Sequence, residues 1–374
     1  MSLPHIFYAI QPDIHTNKEE IAMTGLKRKP AFSPRELQVA DAIPSFFGGP
    51  DTLLLNTPVS YRENVNAHYF SKEPWFVAQS FVHSSSPMIA EYNDQLSRPM
   101  GHDSVDCFGV PWKWVESAGG SITPGGNPLF EDANEWRDHI KMPDINAWDW
   151  EAAAKIPLDG RLSGCYTFLN GFWFERLVSF MDFENAAMAL VDDDQVDAVK
   201  ALFTETTQLA LDLVDKICEY FPGVDGFTVH DDWGAQRAPF FSDEVATEVF
   251  LPFMKELCDH VHKKGRYITI HSCGALTERA HIFAEAGLDG WQMMAINDLP
   301  WLYENFGDKL VLEAWPDPFD VNDDAAAVEA ARRFVDNYCK PGKPSLLGYS
   351  AGEAMASKVF MEELYTYSRK KYMG

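Results

Sequence analysis

From about residue 158 onward, short apolar runs alternate with longer amphipathic segments. Six of these runs are predicted to be buried strands, and they cover residues 162–168, 226–230, 267–271, 289–294, 310–314 and 345–349. Between the first two, the segment 194–221 places apolar side chains at the period of one helix face. Ser242 is predicted to cap a helix that runs through His262 and ends at Lys263-Lys264-Gly265. Another helix is predicted over 325–339.

This alternation of strand and helix predicts parallel strands joined by crossover helices. We therefore expect an α/β fold, a TIM-type (β/α)₈ barrel formed by residues 1–374 as a single domain. Residues 1–157 are irregular and rich in Pro, Gly, Trp and Phe, and would supply the first two strands, while 158–374 would supply the regular repeats. A doubly wound open sheet is the alternative, although no Gly-x-Gly-x-x-Gly follows an early strand.

The charge of the chain narrows the classes of partner. With 31 Lys+Arg against 56 Asp+Glu, the net charge is −25 at pH 7. The negative electrostatic field of such a chain disfavours binding of nucleic acids, anionic membrane surfaces and substrates with many carboxylates. The first 20 residues lack the pattern of a signal peptide, no apolar stretch reaches the length of a membrane span, and the six cysteines are irregularly spaced. We expect a cytoplasmic protein with reduced thiols.

The clearest candidate chemistry lies at a predicted strand end, where barrel enzymes carry their active sites. His271 and Cys273 are two positions apart, so their side chains point to the same face of the strand. An imidazole and a thiolate at this spacing can bind zinc. The alternative is a core thiol beside a hydrogen-bonded histidine.

Two other strand ends carry acidic residues. His230 is followed by Asp231 and Asp232, of which strand alternation allows only one to point inward. We predict His230 and Asp231 as catalytic candidates, because an inward carboxylate can orient a metal-bound histidine or act as an acid or base. The alternative is that one aspartate caps a helix and the other is solvated. Glu313 ends a further strand, where a salt bridge at the rim is its alternative role.

Aromatic and polar residues near the same strand ends suggest a pocket for an apolar or aromatic small molecule. Packing in the core or between loops is the alternative for most of the aromatic side chains. The predicted substrate-binding residues are Trp233, Trp315, Phe172, Asn170, Met294 and Tyr349.

The run 227–274 resembles the uroporphyrinogen decarboxylase-like superfamily, and within it the cobamide-dependent methyltransferases. It contains an acidic-Gly-x-Gln stretch, an S-x-E helix start and an H-x-C-G strand end. Segments 286–292, 106–112 and 134–150 are also similar to that family. The arginine-rich signature with which the true decarboxylases bind substrate carboxylates is absent. The resemblance implies a (β/α)₈ barrel.

The resemblance also implies a zinc site built from His271, Cys273 and a distant cysteine. Ser350 stands where that cysteine is expected, and Cys339 falls inside a predicted helix. Glu313 is the preferred third ligand, because serine binds zinc poorly and a carboxylate oxygen is suitable. Ser350, Cys339 and water remain alternatives.

The implied function is an anaerobic zinc-dependent methyltransferase. It would move a methyl group from a methylated small molecule, with an aryl methyl ether as the preferred donor, to a corrinoid (cobalamin) carried by a separate corrinoid-binding protein. In this scheme Asp231 orients His271 or supplies a proton. The sequence has no D-x-H-x-x-G run for binding the corrinoid itself. The alternatives are a methylcobamide:thiol methyltransferase working in the opposite direction and a non-catalytic tetrapyrrole- or corrinoid-binding barrel.

Overall fold

The structure, a computed structural model, describes residues 29–43, 52–80, 82–92, 101–118 and 120–373. The N-terminal stretch for which the sequence predicts no signal peptide lies outside these residues.

The strands and helices alternate regularly in the second half of the chain. The strands are β1 (Val39–Ile43), β2 (Thr52–Leu55), β3 (Ser84–Ser85), β4 (Ser104–Val105), β5 (Pro111–Val115), β6 (Gly120–Ile122), β7 (Ser163–Phe168), β8 (Val224–His230), β9 (Tyr267–Ser272), β10 (Gly290–Met293), β11 (Val311–Ala314) and β12 (Leu346–Leu347). The helices are α1 (Tyr61–Phe70), α2 (Trp136–His139), α3 (Trp150–Ala153), α4 (Phe174–Ala189), α5 (Val196–Tyr220), α6 (Asp243–Val245), α7 (Leu251–Lys263), α8 (Ala280–Ala286), α9 (Leu299–Phe306), α10 (Asp324–Tyr338) and α11 (Lys358–Lys371).

Seven of the strands form one curled parallel sheet in the order β12-β11-β10-β9-β8-β7-β3. The two edge regions of this sheet are linked through residues 79–85. Gln79 bridges to Leu347 in β12, and β3 pairs with β7. The predicted α/β fold of the TIM type is therefore confirmed, and it brings the carboxyl ends of neighbouring strands to one mouth.

All six strands predicted in the second half are present. The helices predicted at 194–221 and 325–339 correspond to α5 and α10. The helix predicted from Ser242 begins there, since the Ser242 side chain accepts a hydrogen bond from the backbone N–H of Val245. It continues through a π-helical segment, Ala246–Phe250, into α7. Of the two strands expected in the first 157 residues, the described part contributes β3 to the barrel sheet, together with the bridge at Gln79.

The irregular N-terminal region contributes two small antiparallel sheets, β1–β2 and β4–β5–β6. A buried ion pair joins the second of these to the start of α4, since Arg176 lies 2.6 Å from the carboxylate of Asp106. Asp106 also accepts hydrogen bonds from the backbone N–H groups of Phe108 and Val110. These contacts hold the first turn of α4 beside the barrel mouth.

Within the described residues, none of the helices combines the length and apolar character needed to cross a membrane.

Candidate functional site

A row of polar side chains crosses four neighbouring strands near the mouth of the barrel. The strand register pairs His230 with His271 and His271 with Gln292. Glu313 continues the row, because the residues just before Gln292 and Glu313 pair with each other. Since paired residues of parallel strands point to the same face, these four side chains form one layer inside the barrel.

The next layer toward the mouth holds Asp232 and Cys273, each two residues beyond a histidine of the row. The Sγ atom of Cys273 lies 3.3 Å from Nε2 of His271, and Oδ1 of Asp232 lies 3.8 Å from the same nitrogen. Oδ1 of Asp232 also accepts a hydrogen bond of 2.6 Å from the backbone N–H of Cys273. The structure thus brings the predicted pair, His271 and Cys273, together with Asp232.

These side chains form a group that could bind a metal ion. Three ligand atoms, one each from His230, Asp232 and His271, lie within 4.8 Å of one another. Burial, followed by the negative charge of Asp232, raises the pKa of Cys273 to about 12. A bound cation would favour the thiolate, because metal binding displaces the proton of a coordinating thiol.

Glu313 lies elsewhere than predicted, since the side chain of Gln292 fills the space between it and His271. Nδ1 of His271 lies 2.7 Å from Oε1 of Gln292. Nε2 of Gln292 donates to both oxygens of Glu313, at 2.9 and 3.0 Å. Ser80 donates a further hydrogen bond to Glu313, at 2.8 Å. Burial raises the pKa of Glu313 to about 7, although these hydrogen bonds oppose the shift.

The two histidines of the row differ in charge. Their rings stack with centroids 4.4 Å apart, and Nδ1 of His230 lies 2.7 Å from Oε2 of Glu175. Burial alone would lower the pKa of His230, but the charge and hydrogen bond of Glu175 raise it to about 9. Burial, followed by the charge on His230, lowers the pKa of His271 to about 4. His271 is therefore a neutral imidazole beside a protonated His230.

The side chain of Asp231 points away from this group, so its carboxylate does not contact His271 as predicted, although its backbone N–H donates to the carbonyl of His271. It accepts hydrogen bonds from the backbone N–H groups of Phe174 and Glu175 at the start of α4, and from the indole of Trp233. Burial and the charge of Glu175 raise the pKa of Asp231 to about 7, while these donors oppose the shift. Strand alternation is the reason for the placement, because His230 and Asp232 face inward and Asp231 faces α4.

The predicted aromatic wall is only partly present. Trp233 and Phe172 are fully buried, and Trp233 packs against the rings of Phe241, Phe250 and Phe283 in the layer between strands and helices. These two side chains therefore belong to the core.

The other predicted pocket residues lie nearer the mouth. Tyr349 is 39% exposed, with its ring centroid 6.1 Å from that of His271. Met294 and Trp315 are half-buried, and the sulfur of Met294 accepts a hydrogen bond from the backbone N–H of Gly274. Asn170 is buried at the end of β7, with a left-handed φ of 56°.

Ser350 and Cys339, the alternative third ligands, have contacts of their own. Ser350 donates a hydrogen bond to the backbone carbonyl of Met293. Cys339 is buried just beyond α10, where its thiol contacts Tyr372. Because α10 leads into the start of β12, Cys339 lies toward the opposite end of the barrel.

Three residues of the site have no role in the sequence-based prediction. Asp232 could have been chosen over Asp231 by applying to His230 the same two-residue spacing that pairs His271 with Cys273. Gln292 becomes visible only through the register between strands. Glu175 comes from the first turn of α4, and nothing in the sequence pattern connects it with His230.

The fold is similar to that of a methyltransferase from Methanosarcina mazei. The TM-score is 0.55 and the sequence identity is 12%, and the match covers 84% of this chain and 99% of the other. No model of a protein family matches the sequence, and no curated protein sequence matches it. At this identity the likeness shows the fold alone, and the cobamide-dependent branch indicated by the sequence motifs stays a prediction.

Proposed function

We propose that this protein is a zinc-dependent methyltransferase that moves a methyl group from an aryl methyl ether to a corrinoid carried by a partner protein. The observation that carries the proposal is the cluster at the barrel mouth, where ligand atoms of His230, Asp232 and His271 lie within 4.8 Å of one another. The sulfur of Cys273 lies 3.3 Å from Nε2 of His271 in the same cluster. The fold likeness to a methyltransferase supports the reaction class. The H-x-C-G motif supports the corrinoid-dependent branch.

The donor atoms suit zinc. Zinc binds nitrogen, sulfur and carboxylate oxygen at bond lengths that place tetrahedral ligands about 3.5 Å apart. The sulfur of Cys273 and the oxygen of Asp232 lie 3.3 and 3.8 Å from Nε2 of His271. Asp232, His271 and Cys273 would therefore hold the ion, with Asp232 in the role first assigned to Glu313. Zinc bound there would act as a Lewis acid on the ether oxygen, which is otherwise a poor leaving group.

His230 would donate the proton that the leaving oxygen takes up. Glu175 holds its Nδ1, so Nε2 is the nitrogen left to act near Asp232 and His271. The partner's corrinoid, as the methyl acceptor, would supply from its cobalt(I) the electron pair for the new bond while the bond between the methyl carbon and the ether oxygen breaks. The oxygen would keep the pair of the broken bond and take a proton from Nε2 of His230.

The apolar side chains at the mouth would contact the aromatic ring of the substrate. Tyr349, Trp315 and Met294 offer apolar surface there, and Tyr349 is the one placed beside His271. Such a pocket combines apolar walls with a few polar groups, as small-molecule sites do.

The test combines the zinc-loaded protein, free cob(I)alamin and a panel of methyl donors that includes 2-methoxyphenol, methylamines and methanol. We expect phenol release together with the absorbance change of corrinoid methylation, and loss of both in His271→Ala and Cys273→Ala. If no donor reacts but methylcobalamin and a thiol yield a methylated thiol, the methyl group moves in the opposite direction and the proposal fails. Equal rates in zinc-free protein would contradict the role of the metal.

A further inference from the structure

We propose that Glu313 is a positioning residue that acts through Gln292 to keep Nε2 of His271 unprotonated and available for the metal. The inference rests on the function proposed above, because it takes His271 as a zinc ligand. It gives Glu313 a role in the site although its carboxylate lies behind Gln292.

The orientation of the Gln292 side chain is decided by its neighbours. A carboxamide has a donating nitrogen end and an accepting oxygen end. A carboxyl group keeps at least one oxygen that only accepts, whether it is ionised or protonated, and that oxygen would repel the oxygen end of a carboxamide. The end of Gln292 that lies 2.9 and 3.0 Å from the two oxygens of Glu313 must therefore be the nitrogen. Ser80 holds the carboxylate itself in place with a hydrogen bond of 2.8 Å. The carbonyl end of Gln292 then faces His271.

This orientation selects one tautomer of His271. Because Oε1 of Gln292 can only accept, Nδ1 of His271 must donate across the 2.7 Å that separate them. A neutral imidazole has a single N–H, so Nε2 keeps its lone pair. Nε2 is the nitrogen that lies beside Cys273 and Asp232. The chain from Ser80 to His271 thus presents the correct nitrogen to the metal position.

The chain of side chains is also largely buried and closely packed. Its three central members, His271, Gln292 and Glu313, are only 7–8% exposed and project from three adjacent strands. Glu313 is packed from behind, since a Cβ atom on Gly348 would lie 2.8 Å from the Cβ atom of Glu313. Loss of such an outer partner typically weakens metal binding by about 10- to 100-fold.

The first variant is Glu313→Gln, which keeps the size of the side chain and replaces one of the two oxygens that accept from Gln292 by a donating NH2 group. Zinc affinity is measured by competition with a chelator on the full-length protein. The tautomer of His271 is read from ¹⁵N NMR of the zinc-free protein. We expect zinc to bind about 10- to 100-fold more weakly, His271 to populate both tautomers, and the melting temperature to stay near that of the unaltered protein. Gln292→Met should have the same effects on zinc and tautomer.

Thr269→Val is the matched control. Thr269 lies two residues before His271 on the same strand, and its hydroxyl is hydrogen-bonded to Thr228 and not to the chain from Ser80. This variant changes a polar group inside the barrel, and it should leave zinc affinity and the His271 tautomer unchanged.

Unchanged zinc affinity in both Glu313→Gln and Gln292→Met would overturn the proposal, and so would an Nε2–H tautomer of His271 in the unaltered protein. If Glu313→Gln does not fold, Gln292→Met decides. If the unaltered protein binds no zinc, the proposed function fails, while the NMR spectrum of the zinc-free protein still decides which tautomer Gln292 imposes.

Discussion

Replacing Gly274 by alanine should separate the two loops that carry Asp232 and Cys273. The loop after β8 and the loop after β9 cross at Gly234 and Gly274. A Cβ atom on Gly274 would lie 2.4 Å from the Cα and carbonyl carbon of Gly234 and 2.6 Å from its oxygen. Gly274 also has a φ of +110°, which side chains disfavour.

The size of the effect follows from these distances. The optimal separation of non-bonded carbon atoms is about 3.5–4.0 Å, so the two backbones must move apart by about 1 Å. The left-handed φ costs about 1–2 kcal/mol, and the overpacked contact costs about 1–3 kcal/mol. A shift of this size would break the hydrogen bond of 2.6 Å between Asp232 and the backbone of Cys273. Two ligands would then be misplaced, and zinc should bind about 10- to 100-fold more weakly.

Gly265→Ala is the matched control, because Gly265 has a φ of +69° and a Cβ atom there meets nothing within 4 Å. Zinc affinity from chelator competition and stability from urea unfolding are compared in both variants. Gly265→Ala should lose about 1–2 kcal/mol of unfolding free energy and keep its zinc affinity, whereas Gly274→Ala should lose both. Normal zinc binding by a folded Gly274→Ala variant would refute the reasoning.

Three other predictions concern the metal, Asp231 and pH. Elemental analysis should show that Cys273→Ser has lost most of its zinc. Cys218→Ser, which alters a half-buried thiol on α5, should keep its zinc. Equal zinc contents in the two variants would exclude Cys273 as a ligand. Asp231→Asn should lower the unfolding free energy by about 1–3 kcal/mol, because it disturbs a buried acceptor of three N–H groups; a loss of turnover without a loss of stability would instead support the catalytic role predicted from sequence. Burial lowers the pKa of His68 to about 4 and, with a smaller effect of His68, that of His83 to about 3. Below pH 6.5 the unfolded chain therefore binds protons that the folded chain does not, and stability should fall by about 2 kcal/mol per histidine between pH 8 and pH 5. Urea unfolding at both pH values measures this, and stability that is constant or rises on acidification would contradict it.

The elements of the barrel could be predicted because each leaves a local pattern. Buried parallel strands appear as short apolar runs, and α5 shows the period of a helix with one apolar face. β3 has only two residues and pairs through its backbone, so it leaves no hydrophobic pattern to detect.

The site was predictable where two residues of one strand act together, as in His271 and Cys273. Contacts between strands depend on register, which the sequence does not reveal. For this reason Glu313 was expected beside His271, although Gln292 occupies that position. Trp233 has a different explanation. It is aromatic, as expected of a pocket wall, but it follows Asp232 directly, so alternation along the chain turns it to the other face, where it packs against Phe241.

X-ray absorption at the zinc edge of the zinc-loaded protein tests the central claim most directly. With Asp232, His271 and Cys273 as ligands, the spectrum should contain one sulfur at about 2.3 Å and the remaining nitrogen and oxygen ligands at about 2.0–2.2 Å. The sulfur contribution should disappear in Cys273→Ser. A zinc shell without sulfur in the unaltered protein, or one that stays the same in Cys273→Ser and His271→Ala, would contradict a metal centre at the mouth of this barrel.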